Sequence, residues 1–582
     1  MTRASRCLAC FALLLLCFSE SCLGQEIQYM SLDDIKPGMK GKARSVFSGS
    51  KIEEFDVEIL GVLRNWRPGG DIILARASGP QVDFAGIPAG MSGSPVYVEG
   101  KLIGAMAYTW SFSKEPVTGI TPIGEMLELE KGAIPSSESK PAQRKKSSVD
   151  ESKFVAGTIE PIQTPVLVSG FHPAVLRVME EEVGNWNMLL AQTGGAGKEA
   201  VGDTILPGAA MAAVLVSGDG TLAAIGTVTA VDGKKVIGFG HGLSLGGRLE
   251  IPLSTAYVHT VIASIAGSMK LASPLRTVGT IIDEGPAGVT AELGAQARLI
   301  PVQVSVRSGN NVARAFHFDV ADNKLLTSSL VGWAASNAAM TQSAATGEMT
   351  IEAITQIVLS DSLGEQHEVK YSDVFFATDP AGAISRAVSA PVDVLIDNRF
   401  EPVHVKKIDC SLRIERVPQV VSIDEIAVRP EEVAPGDSVS VFVKLKPFRG
   451  SEFSRVMRLM IPVTCDAERV GILVCSAPQM RAWEEQATNR RLPPTSLGQM
   501  ISQVESSGRG NRLECVISEQ NLESGVDGRA FPSPPASFSN VLSDISRSGS
   551  LTQTRFGILD SAKLDTEYAV VGFKVVGLRI KH

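Results

Sequence analysis

The chain has 582 residues, 44% of them hydrophobic and 5% aromatic, and a formal net charge of −8. That length holds about three to five domains, each with a core of its own. An acidic chain without a basic cluster interleaved with aromatics argues against nucleic acid as a partner.

Met1 to Gly24 carries Arg3 and Arg6, an apolar run from Leu8 to Phe18 and a small-residue end at Cys22-Leu23-Gly24. This is the layout of a secretory signal peptide over residues 1–24, cleaved before Gln25, and it predicts an exported chain. Cys22 invites a lipoprotein reading, but Ser19-Glu20-Ser21 makes a poor lipobox. The Cys7-x-x-Cys10 pair lies inside the leader and is read as neither a metal site nor a redox motif. After the leader no run of 18 apolar residues occurs. The nearest, Gly208 to Val231, is broken by Gly218-Asp219-Gly220, so no membrane span is expected after signal removal.

Alternating segments rich in Val, Ile and Thr recur between Gly, Pro, Asp and Asn turns, which predicts a mainly β chain. Residues 25–134 read as a first half-domain of short strands closing a small barrel. Its focus is Gly90-Met91-Ser92-Gly93-Ser94-Pro95, followed by an apolar strand, the turn Glu99-Gly100 and a second strand from Lys101. A serine between glycines just before a strand suits a nucleophile, because a tight bend must aim one hydroxyl and neighbouring N–H groups at one carbonyl. The competing reading is a tight turn between two strands. Residues 135–153, from Pro135 to Lys153, are almost free of apolar side chains and read as a flexible linker.

Residues 154–299 form a second half-domain. Thr193-Gly194-Gly195-Ala196-Gly197-Lys198 lacks the spacing of a P-loop, and Glu199 replaces its Ser/Thr. The strand Val236-Ile237-Gly238-Phe239 runs into Gly240-His241-Gly242. An imidazole at a strand end with nothing bulky beside it can act as a general base; the alternative is a strand-end cap bonded to a backbone carbonyl. No His-Glu-x-x-His occurs, and neither metal nor cofactor is expected.

Lys36-Pro37-Gly38-Met39, the Ser92 hexamer, Gly100-Lys101-Leu102-Ile103-Gly104-Ala105 and Gly119-Ile120-Thr121-Pro122-Ile123 together resemble the SpoIVB-type serine peptidase family of bacterial spore formers. The resemblance covers about residues 30–130 and, through the Gly-His turn, Ile251-Pro252-Leu253 and Val278-Gly279-Thr280-Ile281, about 220–295. It implies a trypsin-like double β-barrel, Ser92 as nucleophile, His241 as base, and the N–H groups of Gly90 and Ser92 as an oxyanion hole. It implies a bacterial protein of the periplasm, cell envelope or exterior, acting on a protein or peptide, its own linker included. The sporulation members place the histidine block before the serine block, so the reversed order here reads as a circular permutation, which triad geometry tolerates. No PDZ-like segment is present. The slot of the family's aspartate falls in Leu74-Ala75-Arg76-Ala77-Ser78, which has no carboxylate. Asp83 is the preferred substitute as orienting acid, with Asp283, or no carboxylate at all, as the alternatives.

Residues 300–405 read as one β domain. Residues 406–480, with Ala434-Pro435-Gly436-Asp437 feeding the alternating Ser438 to Leu445, read as an immunoglobulin-like β-sandwich. Residues 481–582 form a polar C-terminal region with Pro532-Ser533-Pro534-Pro535 and a last strand from Tyr568 to Ile580. Helical periodicity is confined to Pro173–Glu182 and 477–504, the latter broken at Pro493-Pro494. Four cysteines of the exported part, Cys410, Cys465, Cys475 and Cys515, favour disulfides, with Cys465–Cys475 across a hairpin as first choice. Two functions follow: an exported serine endopeptidase, or a non-catalytic envelope scaffold or adhesion protein built on a degenerate peptidase barrel.

Overall fold

The structure, a computed structural model, describes residues 28–110, 113–129, 159–183, 188–195, 197, 204–243, 245–343, 347–487, 494–519, 523–526, 529–531, 551–554 and 557–582. The expected signal peptide with its cysteines, the linker 135–153 and the Pro532–Pro535 stretch lie outside them. Among the described residues no helix is long and apolar enough to cross a membrane. The chain divides into two compact units, the first made of Met1–Leu167, Asn187–Ala213 and Ala224–Ala297, the second of Val168–Trp186, Val214–Ala223 and Arg298–His582.

The first unit begins with β1 (Lys40–Val46), β2 (Ile52–Arg67), β3 (Gly70–Ser78), a helix at Pro80–Ala85, β4 (Pro95–Val98), β5 (Lys101–Trp110) and β6 (Val117–Pro122). They pair in the order β1-β2-β3-β6-β5-β4, and β4 returns to β1, closing a six-stranded barrel. Closure leaves an edge only where β5 runs on past β4, and inward residues such as Ala43, Val57, Ile73, Val96, Ile103 and Ile120 fill the interior. A short strand, β7 (Ile159–Pro161), pairs antiparallel with the end of β5, Tyr108↔Pro161 and Trp110↔Ile159.

After β8 (Thr164–Ser169) and β9 (Met188–Gln192) come β10 (Ala210–Gly218), β11 (Thr221–Asp232), β12 (Lys235–Gly238), β13 (Arg248–Ile262), β14 (Met269–Gly285) and β15 (Gly288–Leu293). Their order is β10-β11-β12-β15-β14-β13, with β13 back on β10. This is the strand order of the first barrel repeated. The double-barrel expectation holds, and both barrels lie in the first unit apart from the end of β10 and the start of β11, which fall in Val214–Ala223.

In the second unit Leu299–Ser308 pairs antiparallel with Arg314–Ala321 and parallel with His404–Glu415, which also pairs with Met349–Ser360. The helices Thr327–Ser343 and Pro380–Ile396 pack on each other and on these strands. The expected all-β stretch 300–405 is therefore an α+β layer. Thr327–Ser343 buries nearly every position around its axis, so its sequence shows no amphipathic period to read.

A four-stranded sheet containing Val420–Arg429 and Ser438–Pro447 and a five-stranded one containing Arg469–Ser476 and Arg512–Glu519 share one apolar core from Val421 to Ile580. The sandwich thus begins later than residue 406, because His404–Glu415 pairs elsewhere. It also runs past 480, because the last strand, Phe573–Ile580, returns to Arg469–Cys475. The region expected to be helical from 477 to 504 splits into Ala477–Ala487 and Leu497–Ser506, as the prolines at 493–494 require.

The disulfide expectation is corrected. Cys410, Cys465, Cys475 and Cys515 are free thiols, each buried. Cys465 and Cys515 lie in the sandwich core, while Cys475 points to a separate cluster with Leu473, Met480 and Val516, so Cys465 and Cys475 occupy opposite faces.

Candidate active site

Ser92 lies in the connection between the third and fourth strands of the first barrel, β3 and β4. The turn is held by the Met91 N–H on the Pro88 carbonyl and the Ser94 N–H on the Met91 carbonyl, both at 3.0 Å. Gly90 and Gly93 sit at φ +88° and +95°, which β-substituted residues avoid. A Cβ on Gly93 would overlap the Thr227 carbonyl and approach the Phe239 nitrogen to 2.5 Å. Met91, fully buried, pins the loop to the barrel core.

The second barrel grips this loop by its carbonyls. Thr227 Oγ1 donates to the Gly90 carbonyl at 3.0 Å, the Thr227 N–H to the Ser92 carbonyl at 2.9 Å, and Thr229 Oγ1 to the Gly93 carbonyl at 2.7 Å. From β14, the Lys270 N–H reaches the Ala89 carbonyl at 3.0 Å. With the carbonyls turned toward the second barrel, the Ser92 N–H is left without a protein partner among the described residues.

His241 occupies the corresponding connection of the second barrel, between its third and fourth strands, β12 and β13. Phe239 and Gly240 take positive φ of 65° and 70°, turning the chain sharply after β12. Thr121 Oγ1 donates to the Gly240 carbonyl at 2.6 Å, and a Cβ on Gly240 would lie 3.2 Å from the Met106 carbonyl. That carbonyl also accepts the Gly93 N–H at 2.8 Å, so the serine and histidine loops pack on the same backbone.

The His241 ring is buried, and burial pushes its pKa below 6.5, favouring neutral imidazole. Nδ1 lies 2.9 Å from the Gly242 carbonyl, a contact that puts the proton on Nδ1 and leaves Nε2 as an acceptor. Ser92 Oγ and His241 Nε2 are both buried and both lack a hydrogen-bond partner, so the Ser–His hydrogen bond is not formed in this conformation. Two orphaned groups of complementary type at one junction are uncommon outside functional sites; catalytic hydrogen bonds often tighten only around substrate.

One sequence expectation fails here, and a second is not met in this conformation. Asp83 is exposed on the one-turn helix Pro80–Ala85 and does not orient the ring, whose Nδ1 is satisfied by Gly242. Closeness along the chain to Ser92 does not place it near a histidine of the other barrel. Gly90, expected to offer its N–H to an oxyanion, donates it to the Gln163 carbonyl at 3.3 Å. Asp283, the alternative acid, accepts the neighbouring Glu284 N–H at 2.9 Å.

A residue the sequence left unassigned takes the structural role. Glu284, at the end of β14 where it pairs with Val289 of β15, accepts the N–H groups of Leu243 at 2.7 Å and Gly246 at 2.5 Å, and that of Leu245. Its pKa is raised by burial, against the pull of those three donors. The carboxylate thus fixes the backbone of the histidine loop rather than the ring.

Lys270 is a second unassigned residue. It is fully buried, its Nζ donating to Ser45 Oγ at 2.8 Å and Thr227 Oγ1 at 3.2 Å, and burial lowers its pKa to about 7. Ser94 Oγ joins the chain by bonding Ser45 Oγ at 3.0 Å. Potential metal ligands group elsewhere: Asp361, Glu365 and His367 have ligand atoms within 4.8 Å of one another. Asp361 already accepts the Leu363 and Glu365 N–H groups and faces His367 Nε2 at 3.2 Å, which closes a hairpin loop.

Residues 17–127 match the family model described as SpoIVB peptidase S55. The match takes in the Ser92 barrel and ends before β7, so the pairing of Ser92 with His241 rests on geometry. No curated protein and no solved structure matches the chain.

Proposed function

We propose that the chain is an exported serine endopeptidase in which Ser92 attacks a peptide carbonyl and His241 Nε2 takes the proton and returns it to the leaving amine. The observation that carries this reading is the pair of buried, unpartnered groups, Ser92 Oγ and His241 Nε2, delivered by equivalent connections of two like barrels. The Ser92 N–H supplies one oxyanion donor, and Gly90 a second once its N–H leaves Gln163. Gly242 stands where a carboxylate would otherwise fix the tautomer. A neutral carbonyl does this without compensating the imidazolium charge, which predicts slow turnover. Export rests on the leader-like residues 1–24, with the periplasm or envelope of a bacterium as destination.

The scaffold reading draws on the same absence of a carboxylate at Nδ1 and on the occupied Gly90 N–H. A fluorophosphonate probe separates the two. Covalent labelling at Ser92, lost in Ser92→Ala and strongly reduced in His241→Ala with melting temperatures little changed, supports the peptidase. Labelling that is equal in wild type and Ser92→Ala removes it.

A further inference from the structure

Residues 159–163 run along the junction of the two barrels. Ile159, Glu160 and Pro161 pair antiparallel with Trp110, Thr109 and Tyr108, and the Ile162 N–H then donates to the Ala107 carbonyl at 2.8 Å. The next two peptide units meet the candidate site. The Ile162 carbonyl lies against the His241 ring and favours its protonated form, without forming a hydrogen bond to Nε2. The Gln163 carbonyl takes the Gly90 N–H at 3.3 Å, and Pro165 Cγ lies 3.1 Å from where a Gly90 Cβ would be. The Ile162 side chain, 1% exposed, is buried in the apolar cluster that holds Met91, Met106 and Ile120.

A peptide substrate needs these same features. It must extend along a free strand edge, and β-augmentation supplies main-chain bonds while pockets read alternate side chains. It must present one carbonyl between nucleophile, base and oxyanion donors. The chain's own segment holds the edge of β5, the ground beside His241 and the Gly90 N–H together. It is misregistered for reaction: Gly90 holds the Gln163 carbonyl, while the carbonyl next to His241 is that of Ile162. A strand set in this way can remain in place uncut.

We propose that Ile159–Gln163 is a resident pseudo-substrate strand, and that Ile162 marks the specificity pocket, which takes a branched aliphatic residue of an extended peptide. This rests on the peptidase reading of Ser92 and His241 and adds to it the substrate class and a latent state. The side chains that share a cluster with Ile162, Met91, Met106 and Ile120 among them, are apolar and offer no partner to Lys, Arg, Asp or Glu. A carbonyl that occupies the oxyanion donor lowers the apparent reactivity of Ser92 by the fraction of time the strand is seated.

The test is the rate at which the full-length protein is labelled by a fluorophosphonate. Ile162→Gly empties the pocket, and Glu160→Pro removes a ladder N–H from an exposed edge position and disturbs the core less. Both variants are expected to label about tenfold faster than wild type or more. Acetyl-Ile-Glu-Pro-Ile-amide added in trans should slow the labelling of Glu160→Pro, whereas acetyl-Ile-Glu-Pro-Asp-amide should not. If both variants label at the wild-type rate while Ser92→Ala is unlabelled, the pseudo-substrate proposal is overturned and the peptidase stands. If the Asp peptide competes as well as the Ile peptide, the aliphatic specificity is overturned. If neither wild type nor any variant labels at Ser92, the peptidase reading fails and the proposal fails with it.

Discussion

Lys270 Nζ donates to Ser45 Oγ at 2.8 Å in a fully buried site where its other partner is a threonine hydroxyl. The ammonium is held by neutral oxygens alone, and desolvation brings its pKa down to about 7. Between pH 7 and 10.5 the unfolded chain therefore binds a proton that the folded chain does not, so stability rises with pH across that window and is flat below it. Urea midpoints should show wild type gaining about 3 kcal/mol from pH 7 to 9.5, with Lys270→Met losing that slope. Equal slopes in the two proteins would contradict the burial of an uncompensated amine.

On the peptidase reading, the ionisation of His241 sets the acid side of the reaction. Its folded pKa lies below 6.5, so the base form persists to lower pH than in an exposed histidine. The acid limb of the labelling rate should have its midpoint below pH 6.5. The same shift makes the folded state lose stability as pH falls from 6.5 toward the folded pKa, because only the unfolded chain takes up the proton there. A midpoint at or above 6.5 would assign the limb to another group.

Glu284 should matter to the reaction and Asp83 should not. Glu284→Ala strands three N–H donors, those of Leu243, Leu245 and Gly246, and frees the histidine loop. Labelling at Ser92 should fall about 10²-fold or more, with Glu284→Gln recovering part of it through its remaining oxygen. Asp83→Asn, at an exposed helix position, should stay within about twofold of wild type. The reverse ranking would return the orienting role to Asp83.

Thiol counting checks the correction at the cysteines. All four are buried, and burial pushes Cys410, Cys475 and Cys515 up to about 12. Protein expressed from Gln25 should be inert to a thiol reagent at neutral pH when folded, and in denaturant without reductant it should release four equivalents. Two or none would mean that disulfides form.

What the sequence made legible was local. The Ser92 turn announces itself because Gly90 and Gly93 need positive φ and Gly93 admits no Cβ, and His241 is marked by the sharp turn through Gly240. A first-barrel strand such as Ile52–Arg67 shows alternation because one face is inward, whereas Ala210–Gly218 and Thr221–Asp232 are buried almost throughout and read as apolar runs. What stayed hidden depends on groups far apart in the chain. Glu284 acts through backbone N–H groups about forty residues away, which leave no side-chain signature. Lys270 reads as an ordinary polar position in an alternating strand, although its chain runs inward beside Gly90. Ile162 and Gln163 look like any residues between two prolines until β7 is laid along β5.

The repeated strand order of the two barrels bears on how such chains are recognised. The link that offers a hydroxyl in one barrel is, position for position, the link that offers an imidazole in the other. On the peptidase reading, the chemistry is a property of two loops meeting and is indifferent to which is translated first. On that reading, a profile built on a histidine-first arrangement would find one half of such a chain and pass over its counterpart. Scanning each barrel separately, and then asking whether complementary halves occur within one chain, would recover relatives that a linear motif misses.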